Sequence, residues 1–319
     1  MKAYFWGTRG SVPSSAGAGL IRGKIRQALA AALEHGLGDA GAIDEFIDSR
    51  LPFSVRGTYG TNTSCVQVNP GSDEPVLCDA GTGLRDFGNH FVAAKSAGGP
   101  GRFHIFLSHP HWDHIQGFPF FAPAYVPGNR ICVYGCHDDI ERAFAGQQRS
   151  PYFPVAFKDM AAAIDFVRLD PGREYALAGL QVRAIEQEHP GRSYGYRFDS
   201  GGKAIVYSGD CEHRPDCIKE GYGFLDFCRN ADLLVFDAQY TFAEACTSRE
   251  SWGHSSNLIG VELAKSAGVR HLCLFHHEPT IADDVLDKLH RDTVQYGRIF
   301  DRDRELLISV AYDGMEIAV

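Results

Sequence analysis

The sequence predicts an α/β sandwich built from mixed β-sheets. Two observations lead to this fold class: short apolar strands recur in both halves of the chain, and helical or irregular segments separate them. The 319 residues are enough for one large domain or two ordinary ones, and no low-complexity linker or repeat marks a boundary. A hydrophobic fraction of 44% and a charged fraction of 22% are ordinary for a globular protein.

Each element of this fold rests on a periodic pattern. Apolar residues at three- and four-residue spacing from Ile21 to Leu33 predict an amphipathic helix, and residues 42–47 and 258–267 predict two more helices. Short apolar runs bounded by turn residues predict strands. These runs cover residues 3–6, 65–68, 75–78, 103–107, 131–134, 180–185, 194–198, 204–207, 233–236 and 271–275.

The densest chemical signal is the hexapeptide His-Pro-His-Trp-Asp-His at positions 109–114, directly after the strand at 103–107. Its potential metal ligands are His109, His111, Asp113 and His114. Neutral imidazoles and carboxylates bind zinc and similar divalent ions. A set this dense at a strand-to-helix turn can serve two ions.

Three isolated residues of the same chemical kinds stand at strand ends. His189 precedes a Pro-Gly turn, Asp210 follows the strand at 204–207, and His276 follows the strand at 271–275. Because strand ends converge in sheet folds, these distant positions can meet at one site. Taken singly, each is more often a hydrogen-bonded structural residue than a ligand.

The order of these residues resembles the metallo-β-lactamase superfamily, whose hallmark is His-x-His-x-Asp-His followed by a single His, a single Asp and a final His. Within it, the chain is most similar to the branch of ribonuclease Z and cyclic-nucleotide phosphodiesterases. The resemblance covers nearly the whole chain except residues 14–52. Further motifs of that branch match residues 5–8, 77–81, 208–210, 231–238, 253–256 and 272–276.

The resemblance implies one domain, residues 1–319, with the metallo-β-lactamase fold. This fold is an αββα sandwich of two mixed β-sheets flanked by helices. The segment at about 14–52 departs from the family pattern and is expected to be a helical insertion. It could form a lid, a dimer contact or a surface embellishment.

The resemblance also implies a centre of two divalent metal ions. One ion would be held by His109, His111 and His189 and the other by Asp113, His114 and His276, with Asp210 as the bridge. His277 is the nearest rival to His276, which we prefer because the apolar alternation ending at Leu274 matches the family's strand register. We expect zinc, with manganese or iron as alternatives, because this ligand mixture accepts all three.

Catalytic roles follow from the same resemblance. His254 in Gly-His-Ser-Ser takes the place of the branch's catalytic histidine, and Asp237 takes the place of the residue that orients it. Asp113 is expected to serve catalysis as well as metal binding. The plain alternative is that His254 caps the helix starting near Ser256 and that Asp237 satisfies a strand-end amide. Asp79 is expected either to receive the second ring N–H of a ligating histidine or only to cap its turn.

These residues together indicate a metal-dependent hydrolase, with phosphoric diesters as the expected substrates. A water shared by two ions has a pKa lowered toward neutrality, so a metal-bridging hydroxide can attack phosphorus while His254 protonates the leaving oxygen. Among phosphoric diesters, small or cyclic phosphodiesters of the 3′,5′-cyclic nucleotide type are the substrates expected first. The alternatives are a lactam, lactone or thioester hydrolase, a tRNA 3′-processing endonuclease, and a metal-binding protein without catalysis.

The expected partners follow from charge and chain spacing. A net charge of −9 argues against broad attraction to nucleic acid. The 21 positions between His189 and Asp210 leave no room for the arm with which ribonuclease Z grips transfer RNA. No apolar stretch is long enough to span a membrane, and nine scattered cysteines fit a reducing compartment, so we expect a cytoplasmic protein. A homodimer is expected from the resemblance alone.

Aromatic residues flank the hexapeptide and could stack a base or simply belong to the core. They are Trp112, Phe118, Phe120, Phe121 and Tyr125.

Overall fold

The computed structural model describes residues 1–94, 100–214, 219 and 221–319. Their strands form two mixed seven-stranded β-sheets. The first sheet contains, in spatial order, β14 (Glu316–Ala318), β1 (Lys2–Gly7), β2 (Cys65–Asn69), β3 (Val76–Cys78), β4 (Arg102–Phe106), β5 (Arg130–Gly135) and β6 (Ala163–Arg168). The second contains β13 (Leu307–Val310), β12 (His271–Phe275), β11 (Leu233–Asp237), β10 (Lys203–Tyr207), β9 (Ser193–Ser200), β8 (Leu180–Gln187) and β7 (Glu174–Leu177).

Each sheet combines a parallel half with an antiparallel half. Strands β3 to β6 run parallel, whereas β14, β1, β2 and β3 pair antiparallel. Likewise, β10 to β13 run parallel and β7 to β10 pair antiparallel. The carboxyl ends of parallel neighbours lie at one edge of their sheet, where side chains that follow several strands can meet.

The helices lie between the strands in the chain. They are α1 (Ala18–His35), α2 (Ile43–Arg50), α3 (Phe53–Arg56), α4 (Gly83–Ala94), α5 (Trp112–Ile115), α6 (Ile140–Gln147), α7 (Gly223–Cys228), α8 (Phe242–Ala245), α9 (Asn257–Ala267) and α10 (Asp283–Phe300). Single 3₁₀ turns cover Ala40–Ala42, Phe118–Phe120, Ala122–Tyr125 and Phe157–Asp159.

Three apolar layers hold these elements together. The middle layer lies between the sheets, where Phe106 from the first sheet contacts Tyr196 and Phe198 from the second. One outer layer packs α7, α9 and α10 on the second sheet, and the other packs α4 on the first. This arrangement confirms the predicted αββα sandwich of two mixed β-sheets flanked by helices.

Helix α1 forms where the apolar spacing predicts it, but none of its residues is buried. Its apolar residues, among them Ile25, Leu29 and the 84% exposed Leu33, face outward. The helix is held instead through polar contacts, since the ammonium of Lys24 lies 2.5 Å from a carboxylate oxygen of Asp283. The segment at about 14–52 is therefore helical, whereas its status as an insertion in a single domain stays a prediction.

The largest helix outside the predicted set is α10. Its inward face combines apolar residues, Leu286 and Leu289 among them, with buried carboxylates. Asp283 pairs with Arg9, and Asp287 accepts hydrogen bonds from the Tyr59 hydroxyl at 2.7 Å and from the Ser54 amide at 3.2 Å. The spacing of Leu286 and Leu289 is typical of an amphipathic helix, so the sequence does contain a signal for α10.

The predicted site residues follow strands that end at neighbouring edges of the two sheets. In the first sheet, Asp79 follows β3 and the hexapeptide 109–114 follows β4. In the second sheet, Asp210 follows β10 and His276 follows β12. Among the described residues, no helix combines the length and apolar character needed to cross a lipid bilayer.

Candidate metal centre

Three histidines form the first ligand group. His111 offers its Nδ1 atom, which lies 2.9 Å from His109 Nε2 and 3.1 Å from His189 Nε2. His109 is fully buried, whereas His111 and His189 are partly open to solvent. Burial lowers the pKa of all three imidazoles, most strongly that of His109. Neutral rings keep a lone pair for a cation, so this group has the state that metal binding requires.

Four buried side chains form the second ligand group. Asp113 Oδ2 lies 3.3 Å from Nε2 of both His114 and His276, and the two oxygens of Asp210 lie 3.2 and 3.3 Å from the same two nitrogens. Burial alone would raise the pKa of both carboxyl groups, but the neighbouring imidazoles, His114 above all, hold it well below the usual range. Both carboxylates are therefore ionised and able to bind a cation.

Asp210 connects the two groups. Its Oδ2 atom lies 3.6 Å from His109 Nε2 in the first group and 3.2 Å from His114 Nε2 in the second. A third possible group, Asp210, Asp237, His254 and His276, overlaps the second one. Geometry thus permits Asp210 to bridge two ions, and it makes His254 a rival ligand.

A divalent cation fits the second group. Within the described part of the chain, His114 Nε2 is buried and has no hydrogen-bond partner, although two carboxylate oxygens lie within 3.3 Å. A buried nitrogen in that position normally has a partner, because an unpaired polar atom costs about 1–3 kcal/mol. An ion coordinated by His114, Asp113 and Asp210 would remove this cost.

Asp79 organises ligands of both groups, as the sequence allowed. Its Oδ2 atom accepts a hydrogen bond from His114 Nδ1–H at 2.7 Å and others from the hydroxyls of Ser108 and Tyr207 at 2.8 and 2.6 Å. Since the Ser108 hydroxyl donates to Asp79, it accepts from His109 Nδ1–H at 3.0 Å. Asp79 and Ser108 thereby hold the Nδ1 atoms of His114 and His109, so that the Nε2 atom of each ring faces the candidate ligands.

A peptide turn at Gly253 performs the same task for His189. The Gly253 carbonyl accepts a hydrogen bond from His189 Nδ1–H at 2.8 Å, and the Gly253 amide donates to the buried carboxylate of Glu212 at 3.0 Å. Gly253 has a φ of +87°, and a Cβ atom there would lie 2.3 Å from His189 Nδ1. Only glycine fits this turn without displacing the ligand.

The structure distinguishes His276 from His277. His276 Nε2 faces Asp113 and Asp210, whereas His277 Nε2–H donates to the Ala311 carbonyl at 2.8 Å on the far side of the strand end. His276 has a φ of +61°, a left-handed conformation that a non-glycine residue adopts at a cost of about 1 kcal/mol or more. This left-handed backbone conformation directs the imidazole of His276 toward the other candidate ligands.

His254 and Asp237 form a pair beside the second group. His254 Nδ1–H donates to Asp237 Oδ2 at 2.9 Å and lies 4.0 Å from Asp210 Oδ2. Burial opposes protonation of the ring, but the charge and hydrogen bond of Asp237 outweigh it and raise the pKa of His254 to about 9. Asp237 thereby favours the protonated form of this imidazole, which lies next to the candidate ligands.

The structure brings together every predicted site residue, whether proposed as ligand or as catalyst. It also contains participants whose roles sequence patterns do not indicate: Ser108, Tyr207, Gly253 and Glu212, and the Ser11 amide, which donates to Asp113 Oδ2 at 2.8 Å. Their roles depend on contacts between distant segments. The single available signal was the proximity of Ser108 and Gly253 in sequence to predicted site residues.

Comparison with known proteins identifies the family. The family model described as "Beta-lactamase superfamily domain" matches residues 75–277, which contain all seven proposed ligands. The chain belongs to this superfamily. The expected resemblance is thus confirmed, and the family and its relatives bear out the expected class, a metal-dependent hydrolase.

Individual superfamily members resemble the chain over most of its length. A ribonuclease Z from Methanosarcina acetivorans is 27% identical, with 82% of this chain and 94% of the relative covered. The metallo-β-lactamase fold protein YhfI from Bacillus subtilis superposes with a TM-score of 0.65 at 19% identity, covering 99% of both chains. Human tRNase Z, short form, superposes with a TM-score of 0.57 at 20% identity, covering 100% of this chain and 99% of the human one. These two structures support the fold.

Proposed function

We propose that the protein is a dinuclear metal phosphodiesterase that hydrolyses small or cyclic phosphodiesters, such as 3′,5′-cyclic nucleotides. The observation that carries the proposal is the pair of His254 and Asp237, whose Nδ1 and Oδ2 atoms lie 2.9 Å apart next to the two ligand groups. A cluster that activates water needs a separate proton donor if the leaving group is an alkoxide. The pair supplies that donor.

The proposal assigns the ligands in two sets. His109, His111 and His189 hold one ion, Asp113, His114 and His276 hold the other, and Asp210 bridges them. We propose zinc for both, with manganese or iron as alternatives. When bound, the two ions supply a water of lowered pKa and neutralise charge on the phosphoryl oxygens.

The protein's own groups complete the reaction. Asp79 and Gly253 orient the histidines, and the Ser11 amide holds the carboxylate of Asp113 in place. His254 delivers a proton from Nε2 to the leaving oxygen. Asp237 keeps the donating ring oriented, because it binds the opposite nitrogen.

A tRNA 3′-processing endonuclease is the second candidate, favoured because a relative aligned over most of the chain is named ribonuclease Z. The segment from His189 to Asp210 weighs against it. This segment is a hairpin of β9 and β10 closed by Gly201 and Gly202, and no extended arm interrupts it. The net charge of −9 also disfavours a polyanion as large as transfer RNA.

A substrate panel separates the candidates. Protein loaded with zinc or manganese is assayed on cyclic AMP, cyclic GMP, bis(p-nitrophenyl) phosphate, precursor transfer RNA and nitrocefin. The proposal predicts the largest kcat/KM on a small diester. Faster cleavage of precursor transfer RNA would favour the endonuclease, and faster opening of nitrocefin would favour a lactam hydrolase. Full metal loading without turnover of any substrate would favour a metal-binding protein without catalysis.

The leaving group tests the role of His254. The 3′-oxygen that leaves cyclic AMP needs a proton, whereas p-nitrophenolate leaves readily without one. His254→Ala should therefore lower kcat on cyclic AMP by about 10²–10⁴-fold and affect bis(p-nitrophenyl) phosphate much less. Metal content measured in parallel should stay at the wild-type value. If this variant binds one ion fewer, His254 is a metal ligand. If kcat falls equally on both esters, His254 is not the general acid.

The cytoplasmic location, the homodimer and the single-domain organisation with its insertion at about 14–52 stay predictions. Sedimentation velocity of the purified protein tests the dimer directly.

A further inference from the structure

A cavity of about 660 Å³ lies beside the segment that carries the metal ligands. Its lining includes Pro110, Trp112, Phe120, Arg142, Tyr152 and Phe153. This volume falls within the range of small-molecule sites, which join apolar walls with a few polar groups.

The cavity and the candidate metal centre share one stretch of chain. Pro110 and Trp112 alternate with His109, His111 and Asp113 along the sequence. The side chains of His109 and Asp113 turn inward, whereas Trp112 is 78% exposed and forms a wall of the cavity. Two residues of the cavity wall, Pro110 and Trp112, are thus direct chain neighbours of the ligand His111.

The aromatic residues near the hexapeptide and the cavity differ in exposure. Phe118 and Phe121 are fully buried core residues. Trp112, Phe120 and Tyr152 are instead 78%, 57% and 82% exposed, although such rings gain most from burial. All three line the cavity, and Phe120 packs edge-to-face against Phe153, with 5.4 Å between ring centroids.

A cationic group completes the lining. The side chain of Arg142 is 82% exposed, and one guanidinium nitrogen lies 2.5 Å from a carboxylate oxygen of Asp139, the residue before α6. The remaining guanidinium N–H groups are available to base or sugar oxygens. Open aromatic faces next to a guanidinium group are the features that bind a nucleobase by stacking.

We propose that this cavity binds the nucleobase of a nucleotide phosphodiester whose phosphate lies at the metal ligands. The inference rests on the proposed phosphodiesterase function and narrows its substrate class. Trp112 and Phe120 are the specificity-determining residues, because they offer open aromatic surfaces. The enzyme accordingly prefers nucleoside esters to alkyl esters.

Two esters with the same leaving group test this preference. Thymidine 5′-(p-nitrophenyl) phosphate carries a base, and methyl p-nitrophenyl phosphate does not. The wild-type protein should show a larger kcat/KM for the thymidine ester. Trp112→Ala and Phe120→Ala should each lower the ratio of the two constants by about tenfold, the loss expected from removing a stacking ring. Phe300→Ala, a change at an exposed ring at the end of α10, is the matched control and should leave the ratio unchanged.

A ratio that stays at the wild-type value in both cavity variants would overturn the inference, as would a wild-type protein without preference. Binding of thymidine 5′-monophosphate, measured by calorimetry, separates this failure from that of the proposed function. If no diester is hydrolysed but Phe120→Ala weakens the nucleotide about tenfold, the cavity binds bases and the proposed function is wrong. If sedimentation shows that Trp112→Ala changes the oligomeric state without changing the ratio, the cavity is a contact between copies and the inference is wrong.

Discussion

Replacing Asp79 by asparagine is expected to weaken metal binding at the group that contains His114. The substitution preserves shape but replaces the Oδ2 atom, which accepts three hydrogen bonds, with an NH₂ group that only donates. The hydroxyls of Ser108 and Tyr207 can rotate and become acceptors. The ring of His114 can accept at Nδ1 only if its proton moves to Nε2, the atom that faces Asp113 and Asp210.

The loss of metal affinity follows from the movement of the His114 proton from Nδ1 to Nε2. Losing the partner that fixes a ligand's tautomer lowers metal affinity by about 10- to 100-fold. This corresponds to about 1.4–2.7 kcal/mol of binding free energy. Any buried donor left unpaired around residue 79 would cost a further 1–3 kcal/mol or so of folding stability, because this side chain is fully buried.

Zinc titration of the metal-free variant, in competition with a chromophoric chelator, measures the loss. One binding step should weaken and the other should change less, because Ser108 can still accept from His109. Asp232→Asn is the matched control, since Asp232 is a buried carboxylate that accepts from the Ala204 amide and Lys203. The control should lose stability without losing zinc. Wild-type affinity for both ions in a folded Asp79→Asn protein would refute the reasoning.

Three further outcomes are expected. The His254 imidazolium is present below its pKa of about 9 and lost above it, so kcat/KM on cyclic AMP should fall as pH rises through that value. Asp237→Asn should move this fall to lower pH, and an unmoved profile would assign it to another group. Gly253→Ala should weaken one zinc step at least about tenfold by displacing His189, whereas unchanged zinc binding would show that the turn can adapt. Chelation should abolish turnover, and zinc or manganese should restore it, while activity that survives full removal of metal would exclude a metal mechanism.

The ligand set could be predicted because its strongest part is local. Four candidate ligands stand within the hexapeptide at 109–114, and the remaining ones follow strands whose apolar runs are easy to recognise. Strand ends meet at sheet edges, so position along the chain allowed proximity, and the resemblance to the superfamily supplied the ligand assignment. The choice of His276 over His277 depended on strand register, and the structure places His276 beside the other ligands.

The residues that orient the ligands could not be predicted, because each acts across a distance in sequence. Tyr207 binds Asp79 128 positions away, and the Gly253 carbonyl binds His189 64 positions away. Gly253 opens the family motif at 253–256, but neither residue has a local pattern that identifies its hydrogen-bond partner. Their function appears only when the two sheets pack together.

Helix α1 shows a different limit of prediction from apolar spacing. Apolar spacing correctly predicts a helix, but not whether its apolar face packs on the core. In the structure Leu29 and Leu33 remain exposed, and a polar contact of Lys24 holds the helix to Asp283.

Anomalous diffraction from crystals grown with zinc tests the dinuclear centre most directly. The account predicts two peaks about 3.5–4 Å apart, one coordinated by His109, His111 and His189 and the other by Asp113, His114 and His276, with Asp210 between them. A single peak held by Asp237 and His254 would contradict it, as would the absence of any ion at the two ligand groups.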